Sequence, residues 1–403
     1  MVLKSDIEKA LKMQLQILKM KSKLYVREDL ATVNRGESHI LVVSGIRRSG
    51  KSSLLKLLMN ETKGKFLFIN FEDSRIFQFQ LSDFNKLEEI VGDNVDTYFF
   101  DEIQNVENWE IYIRQLHDRG KKIFITGSNA SLLSKELGTR LTGRYLNKEL
   151  FPFSYTEFLS YKRLADNLSS FEKYIQFGGF PEFLDSKNPE ILQNLVKDIV
   201  FRDVAIRYGI KNSKTLMDIT LYLLSNIGKE TTFNSLKKTF EVGSGNSVSD
   251  YLKWLEDCYL LFFLNKFSWS AKSIAINPRK VFGIDTALVQ SNSLSFTKDK
   301  GRLFENAVFL FLRRKNLDLF YFRENKECDF VVFEKGKCKM LVQVCEEIHS
   351  DNQDREVNGL LEAMNYFGLS IGYIVTKSQD DYLEFDDKKV VFLPINQWMK
   401  IEF

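Results

Sequence analysis

The chain has 403 residues, with 57 Lys or Arg against 54 Asp or Glu and a formal net charge of +3. That length exceeds one ordinary hydrophobic core and implies two or three domains, while the near-neutral balance excludes a polyanion-binding surface spread over the whole molecule. Cys258, Cys328, Cys338 and Cys345 form no C-x-x-C pair and the histidines are His39, His117 and His349, which argues against a zinc cluster or disulfide framework and fits a reducing cytoplasm.

Residues 5 to 20 carry Ile7, Leu11, Leu15 and Leu18 at helical spacing with lysines between them. This predicts a leading helix packed on the first domain, not a signal peptide or membrane anchor. Apolar runs further along, such as Leu260 to Leu264, are far too short to span a bilayer, so the expectation is a soluble cytoplasmic protein with no membrane partner.

Ile40 to Ser44 reads as a buried strand and Ser53 to Asn60 as a helix, and Gly45-Ile46-Arg47-Arg48-Ser49-Gly50-Lys51-Ser52 lies between them as G-x-x-x-x-G-K-S. Strand, glycine loop and helix together make a phosphate-binding loop. The glycines let backbone N–H groups turn inward around a phosphate resting at the helix N-terminus. Lys51 supplies an ammonium for the terminal phosphates and Ser52 a hydroxyl for Mg²⁺. The expected nucleotide contacts are Gly45, Arg47, Arg48, Ser49, Gly50, Lys51, Ser52 and Ser53.

Phe66 to Phe71, Thr97 to Asp101 and Lys122 to Thr126 are strand-like, with helices between them such as Trp109 to Arg119, stopped by Gly120. The alternation predicts an α/β fold with a mainly parallel sheet and nucleotide at the carboxyl ends of its strands. The apolar run Thr97-Tyr98-Phe99-Phe100 ends in Asp101-Glu102. Asp101 is expected to hold Mg²⁺ together with Ser52, and Glu102 to act as general base for the attacking water. Lys122 to Asn129 ends in polar residues, so Ser128 or Asn129 is expected to sense the γ-phosphate. Arg140 and Arg144 follow as candidate arginine fingers for a neighbouring subunit, which would require a homo-oligomer. The closest approach to a guanine signature, Asn85-Lys86-Leu87-Glu88, ends in Glu and precedes the acidic strand, so ATP is the expected nucleotide.

Residues 155 to 229 read as mostly helical, interrupted by Gly178-Gly179-Phe180-Pro181. Thr232 to Phe240 and Val248 to Cys258, joined by a glycine turn and followed by strands Leu260 to Phe267 and Lys280 to Ile284, give a winged-helix pattern. Its second helix is acidic, so Tyr251, Leu252, Trp254 and Leu255 are expected in a core or interface. Lys266, Lys272, Arg279 and Lys280 with Trp269 mark the wing as a possible DNA contact, weighed evenly against a structural use. The remainder returns to α/β: helix Gly301 to Lys315, strands Leu319 to Arg323, Cys328 to Glu334 and Met340 to Cys345, helix Arg355 to Phe367, strand Ile371 to Thr376.

Ser44 to Ser52, Phe100 to Gln104, Thr126 to Asn129 and Leu141 to Arg144 resemble the prokaryotic predicted AAA-type P-loop ATPases. Further matches are Phe151 to Tyr155 with Glu157-Phe158, Gly178 to Glu182, and Pro278-Arg279-Lys280 with Ile284-Asp285. The resemblance implies ATP binding and hydrolysis on an AAA-type domain at 1–160, a helical and winged-helix domain at 161–295 and a restriction-endonuclease-like domain at 296–403. In that last fold Glu305, Asp329 and an acid-x-Lys motif make the nuclease centre. Here the third motif reads Gln343-Val344-Cys345, so nuclease activity is not expected. The expectation is an ATP-driven switch; its rivals are a nucleotide-gated scaffold that hydrolyses nothing and, less favoured, an active nuclease.

Overall fold

The computed structural model describes residues 1–20, 24–28, 30, 39–92, 94–129, 141, 143–295 and 299–401. They cluster into two compact units, one of Met1–Phe151 with Asp257–Tyr259, the other of Pro152–Glu256 with Leu260–Phe403. The segments expected as separate middle and final domains therefore share one unit.

In the first unit, helix α1 (Lys4–Lys19) precedes strand β1 (Ile40–Ser44), helix α2 (Lys51–Glu61), strand β2 (Phe66–Asn70), helix α3 (Asp83–Val91), strand β3 (Thr97–Asp101), helix α4 (Trp109–Asp118), strand β4 (Lys122–Gly127) and strand β5 (Tyr145–Glu149). The described strands form a parallel sheet in the order β2-β3-β4-β1-β5. Alternation along each strand supplies both cores. Ile40, Val42, Ile69, Phe100 and Ile125 pack on the side of α3 and α4, whereas Leu41, Val43, Phe68, Phe99 and Phe124 pack against Leu54, Leu55 and Leu58 of α2. Helix α1 buries Ile7, Ala10, Leu11 and Gln14 on one face, and the Gln14 side-chain amide bonds in both directions with the Asn70 backbone at the end of β2. Strand β5 was not anticipated: its residues Tyr-Leu-Asn-Lys-Glu are half-exposed at the sheet edge and lack an apolar run.

The second unit opens with helices α5 (Tyr155–Lys162), α6 (Leu168–Phe177), α7 (Pro181–Ser186) and α8 (Glu190–Asp198), and α8 continues into a π-helical stretch, Ile199–Ile206. Helix α9 (Ser213–Ser225), strand β6 (Glu230–Thr231), helices α10 (Phe233–Thr239) and α11 (Gly245–Asp257), strand β7 (Leu261–Lys266), helix α12 (Ala271–Ile276) and strand β8 (Arg279–Gly283) follow. After α13 (Thr286–Asn292) and α14 (Lys300–Arg314) come β9 (Asp318–Arg323), β10 (Glu327–Glu334), β11 (Lys337–Val344), α15 (Ser350–Phe367), β12 (Ile371–Thr376), β13 (Asp381–Phe385), β14 (Lys388–Pro394) and α16 (Ile395–Trp398). Among the described residues one mixed sheet runs β13-β14-β12-β11-β10-β9-β7-β8-β6. The parallel pairing of β7 with β9, Asn265 with Phe320 and Lys266 with Tyr321, is what fuses the two expected domains. Trp254 stacks on Tyr208 with ring centroids 4.2 Å apart, a packing role for an aromatic of the acidic helix.

Candidate phosphate-binding site

The loop from Gly45 to Gly50 leaves the carboxyl end of β1 and feeds α2. Gly45 has φ 148° and a Cβ there would lie 2.2 Å from Leu150 O; Gly50 has φ 101° and Arg48 φ 62°. Glycine is required at position 45 by both backbone and space. Helix α2 begins at Lys51, so its first N–H groups point into the loop.

Within this frame the expected residues converge. Ser52 Oγ donates to Asp101 Oδ2 at 2.8 Å across the gap between α2 and the end of β3. The buried Lys51 ammonium donates to the carbonyls of Gly45 at 2.8 Å and Ile46 at 3.0 Å, and lies 3.8 Å from Glu102 Oε1. Glu102 has left-handed backbone, φ 53° and ψ 45°, a conformation a non-glycine residue adopts at a cost and one that swings its carboxylate toward the loop. Gln104 Nε2 donates to Glu102 and, at 3.4 Å, to Ser128 Oγ, which puts Ser128 in the same group. Asn129 instead is fully buried and donates to Cys258 Sγ at 3.7 Å.

Burial and the Glu102 charge push Asp101 up to about 6, against the hydrogen bonds from Thr126 and Ser52. Burial would raise Glu102 as well, but the Lys51 ammonium and the Gln104 hydrogen bond hold it below the usual carboxylate range. The adjacent acids are thus differentiated. Glu102 is pushed toward its ionised form and Asp101 toward its protonated one.

Several residues escaped the sequence reading. Thr126 Oγ1 donates to Asp101 and accepts from Glu102 N, and Asn70 Nδ2 donates to Asp101 Oδ2 at 3.1 Å. Both close buried strands that flank β3, and a polar residue ending an apolar strand was the signal available. Arg27, 5% exposed, donates from Nη1 to Ser49 O and from Nη2 to Phe151 O, each at 2.8 Å. Nothing local in the sequence marks it.

Arg47 bonds Glu72 Oε1 at 2.8 Å, Arg48 and Ser53 are exposed, and Ser52, also exposed, aims its Oγ at Asp101. Ser49 Oγ and Gln104 Oε1 are buried with no hydrogen-bond partner among the described residues. A glycine cradle, two orphaned polar atoms and a Ser–Asp pair facing each other suit a phosphate and its Mg²⁺, with Ser52 and Asp101 as the metal-side residues. Arg144 lies elsewhere: its carbonyl accepts from Ile40 N at 2.8 Å, and its side chain is 3.6 Å from Asp118. That is the amino end of the sheet, roughly 15 Å of strand from its own phosphate loop. Arg140 lies outside the described residues.

A family model described as AAA domain matches residues 37–159, and one described as a domain of unknown function (DUF8612) matches residues 168–299. The uncharacterized protein MJ1544 of Methanocaldococcus jannaschii is 38% identical over 392 residues, covering 89% of this chain and 88% of that protein. An uncharacterized protein of Haemophilus influenzae is 31% identical over 383 residues, 88% of this chain and 93% of its own length. Among solved structures, the Walker-type ATPase PABY2304 of Pyrococcus abyssi aligns with 68% of this chain and 99% of its own at 14% identity, with a TM-score of 0.42.

Proposed function

Because the chain belongs to one family with these archaeal and bacterial relatives and carries an AAA domain over residues 37–159, we propose that it binds Mg·ATP in the Gly45–Gly50 loop and hydrolyses it to switch its second unit. The observation that carries this reading is the 2.8 Å approach of Ser52 Oγ to Asp101 Oδ2 at the mouth of that loop, with the Glu102 carboxylate beside it, 3.8 Å from the Lys51 ammonium. Backbone N–H groups of the loop and the first turn of α2 hold the phosphates, and Lys51 neutralises them. A bound Mg²⁺ would draw charge off the phosphoryl oxygens. Glu102 then takes the proton of the attacking water, and Gln104 with Ser128 fixes the carboxylate for that transfer. Arg144 can serve as a finger only toward a neighbouring copy, which ties its role to homo-oligomerisation.

Support for switching comes from how the chain leaves the loop. Leu150 N donates to Ser44 O at 2.7 Å, and Arg27 joins Ser49 O of the loop to Phe151 O, the last residue before the second unit begins. A change in loop geometry on phosphate binding therefore acts on the segment that enters that unit. DNA contact has less support than the sequence suggested. Of the four wing cations Lys280 is buried and ion-paired, and Arg279 is half-buried over the Phe233 ring. Trp269 and Lys272 remain exposed. No described helix is long and apolar enough to cross a membrane.

Steady-state phosphate release from Mg·ATP tests the reading. Turnover that disappears in Glu102→Gln while Mg·ATP is still bound is expected. Binding without any turnover in the parent protein would leave a nucleotide-gated scaffold instead.

A further inference from the structure

Lys280 was expected on the surface of a wing, yet it is 3% exposed. Its Nζ lies 2.6 Å from Glu327 Oε1, 2.8 Å from Asp329 Oδ1 and 3.0 Å from Glu305 Oε1. The groups arrive from three elements of the second unit: Lys280 from β8, Glu305 from α14, and Glu327 with Asp329 from one face of β10. Their register is fixed by main chain, because the Asn306 side chain donates to Gly283 O at 3.0 Å and accepts from Gly283 N at 2.8 Å, locking α14 to β8. Burial opposes charge on Lys280, but Asp329, Glu305 and Glu327 outweigh it and hold the ammonium well above the usual lysine range.

The cluster forms one wall of a cavity of about 870 Å³ whose lining carries more acids than bases. Carboxylates converging on one point beside an acidic cavity are the usual setting for a hard divalent cation. Here the point is already taken. The oxygens surround the Lys280 ammonium, each at hydrogen-bonding distance from Nζ. Among the described residues no three His, Cys, Asp or Glu have the geometry to hold a metal. Both Asp329 oxygens are engaged, Oδ1 by the Lys280 ammonium at 2.8 Å and Oδ2 by Val344 N at 3.0 Å. Gln343, which occupies the acid position of the nuclease motif expected from the sequence, accepts from Asp329 N at 3.2 Å and donates to Glu356 Oε2 at 2.6 Å.

We propose that Lys280 is the resident cation of this site: its ammonium fills the place of a divalent metal, so the cavity is self-neutralised and supports no metal-dependent phosphodiester cleavage. Lys280 thereby does two things. It ties β8 to α14 and to β10, three positions along the sheet, and it keeps Mg²⁺ out of the second unit.

The test is Mn²⁺ titration of the full, nucleotide-free chain, read by the electron paramagnetic resonance of the free ion, on wild type, Glu327→Gln and Lys280→Met. Wild type and Glu327→Gln should take up the same amount of Mn²⁺, because the phosphate loop contributes equally to both. Lys280→Met should gain a site that the added Glu327→Gln substitution removes. Two outcomes overturn the proposal: wild-type uptake that Glu327→Gln diminishes, or a Lys280→Met protein with the parent's circular-dichroism spectrum and no gained site. The first comparison leaves residue 280 untouched, so it decides the matter even where Lys280→Met does not fold. ATP turnover plays no part in the readout.

Discussion

Asp101 and Glu102 are consecutive, equally buried and yet pushed in opposite directions, Asp101 up to about 6 and Glu102 down. The difference comes from neighbours: Lys51 stands 3.8 Å from Glu102, while Asp101 feels the Glu102 charge. A proton on Asp101 competes with Mg²⁺, so the Mg²⁺ concentration for half-maximal ATPase should climb as pH falls below about 6, by up to roughly tenfold per pH unit. A flat Mg²⁺ requirement across that window would remove Asp101 from the metal side. The sign for stability is the reverse. The folded value lies above the unfolded one, about 3.9, so the protonated carboxyl stabilises the nucleotide-free fold at low pH, and that contribution is lost as pH rises through about 6. Glu102→Gln should lower turnover by about 10²–10⁴-fold with binding retained, the size of a lost general base, as seen in single-turnover phosphate release set beside calorimetry. The loop and the acidic pair were legible because their motif is contiguous. Thr126, Asn70 and Arg27 were not, since each acts through a partner that only the folded sheet brings near.

Elements here are held by close backbone approaches that only glycine permits. A Cβ at Gly179 would sit 2.3 Å from Phe153 O, and the Gly178–Gly179 turn is clasped by Asp285, which accepts from Gly179 N at 2.6 Å and caps α13 through Leu288 N at 2.9 Å. Phe153 is held in turn by Gly179 O and by the Tyr174 hydroxyl at 3.0 Å. Gly179→Ala should therefore destabilise the second unit by about 1–3 kcal/mol, an overpacking cost, and lower its thermal midpoint. An unchanged melting curve would mean the turn relaxes freely. Periodicity marked Gly178-Gly179 as an interruption between helices and the family resemblance marked both it and Ile284-Asp285, but nothing paired the two, because Asp285 lies 106 residues away. Long-range pairing also explains the missed β5, an edge strand with polar composition, and the burial of Lys280, whose acids lie 25 to 49 residues further on. The helices and strands named from periodicity recur with ends shifted by a few residues, α2 starting at Lys51 where Ser53 was expected, whereas α3, α12, α13 and everything after β12 were not read.

For the whole molecule, the chain passes between the two units at Phe151–Pro152 and on either side of Asp257–Tyr259, and at the first crossing a segment latched to the phosphate loop through Arg27 passes on to Phe153 and its own clasp. Chemistry in the first unit thus has a covalent route into the second, and a partner engaged by the second unit should alter the ATPase rate. Duplex DNA is the first partner to try. With Lys280 buried among acids, stimulation by DNA is expected to be small and to vanish with added salt; a strong, salt-resistant stimulation would point to a DNA surface away from Lys266, Lys272 and Arg279. Every element of this account rests on a triphosphate seated in the Gly45–Gly50 loop. Isothermal titration of Mg·ATP into the full chain tests that most directly. The account predicts saturable heat at one site, weakened by about a hundredfold or more in Lys51→Ala, the loss of a charged contact. Absence of heat in the parent protein, or equal binding by Lys51→Ala, would contradict it.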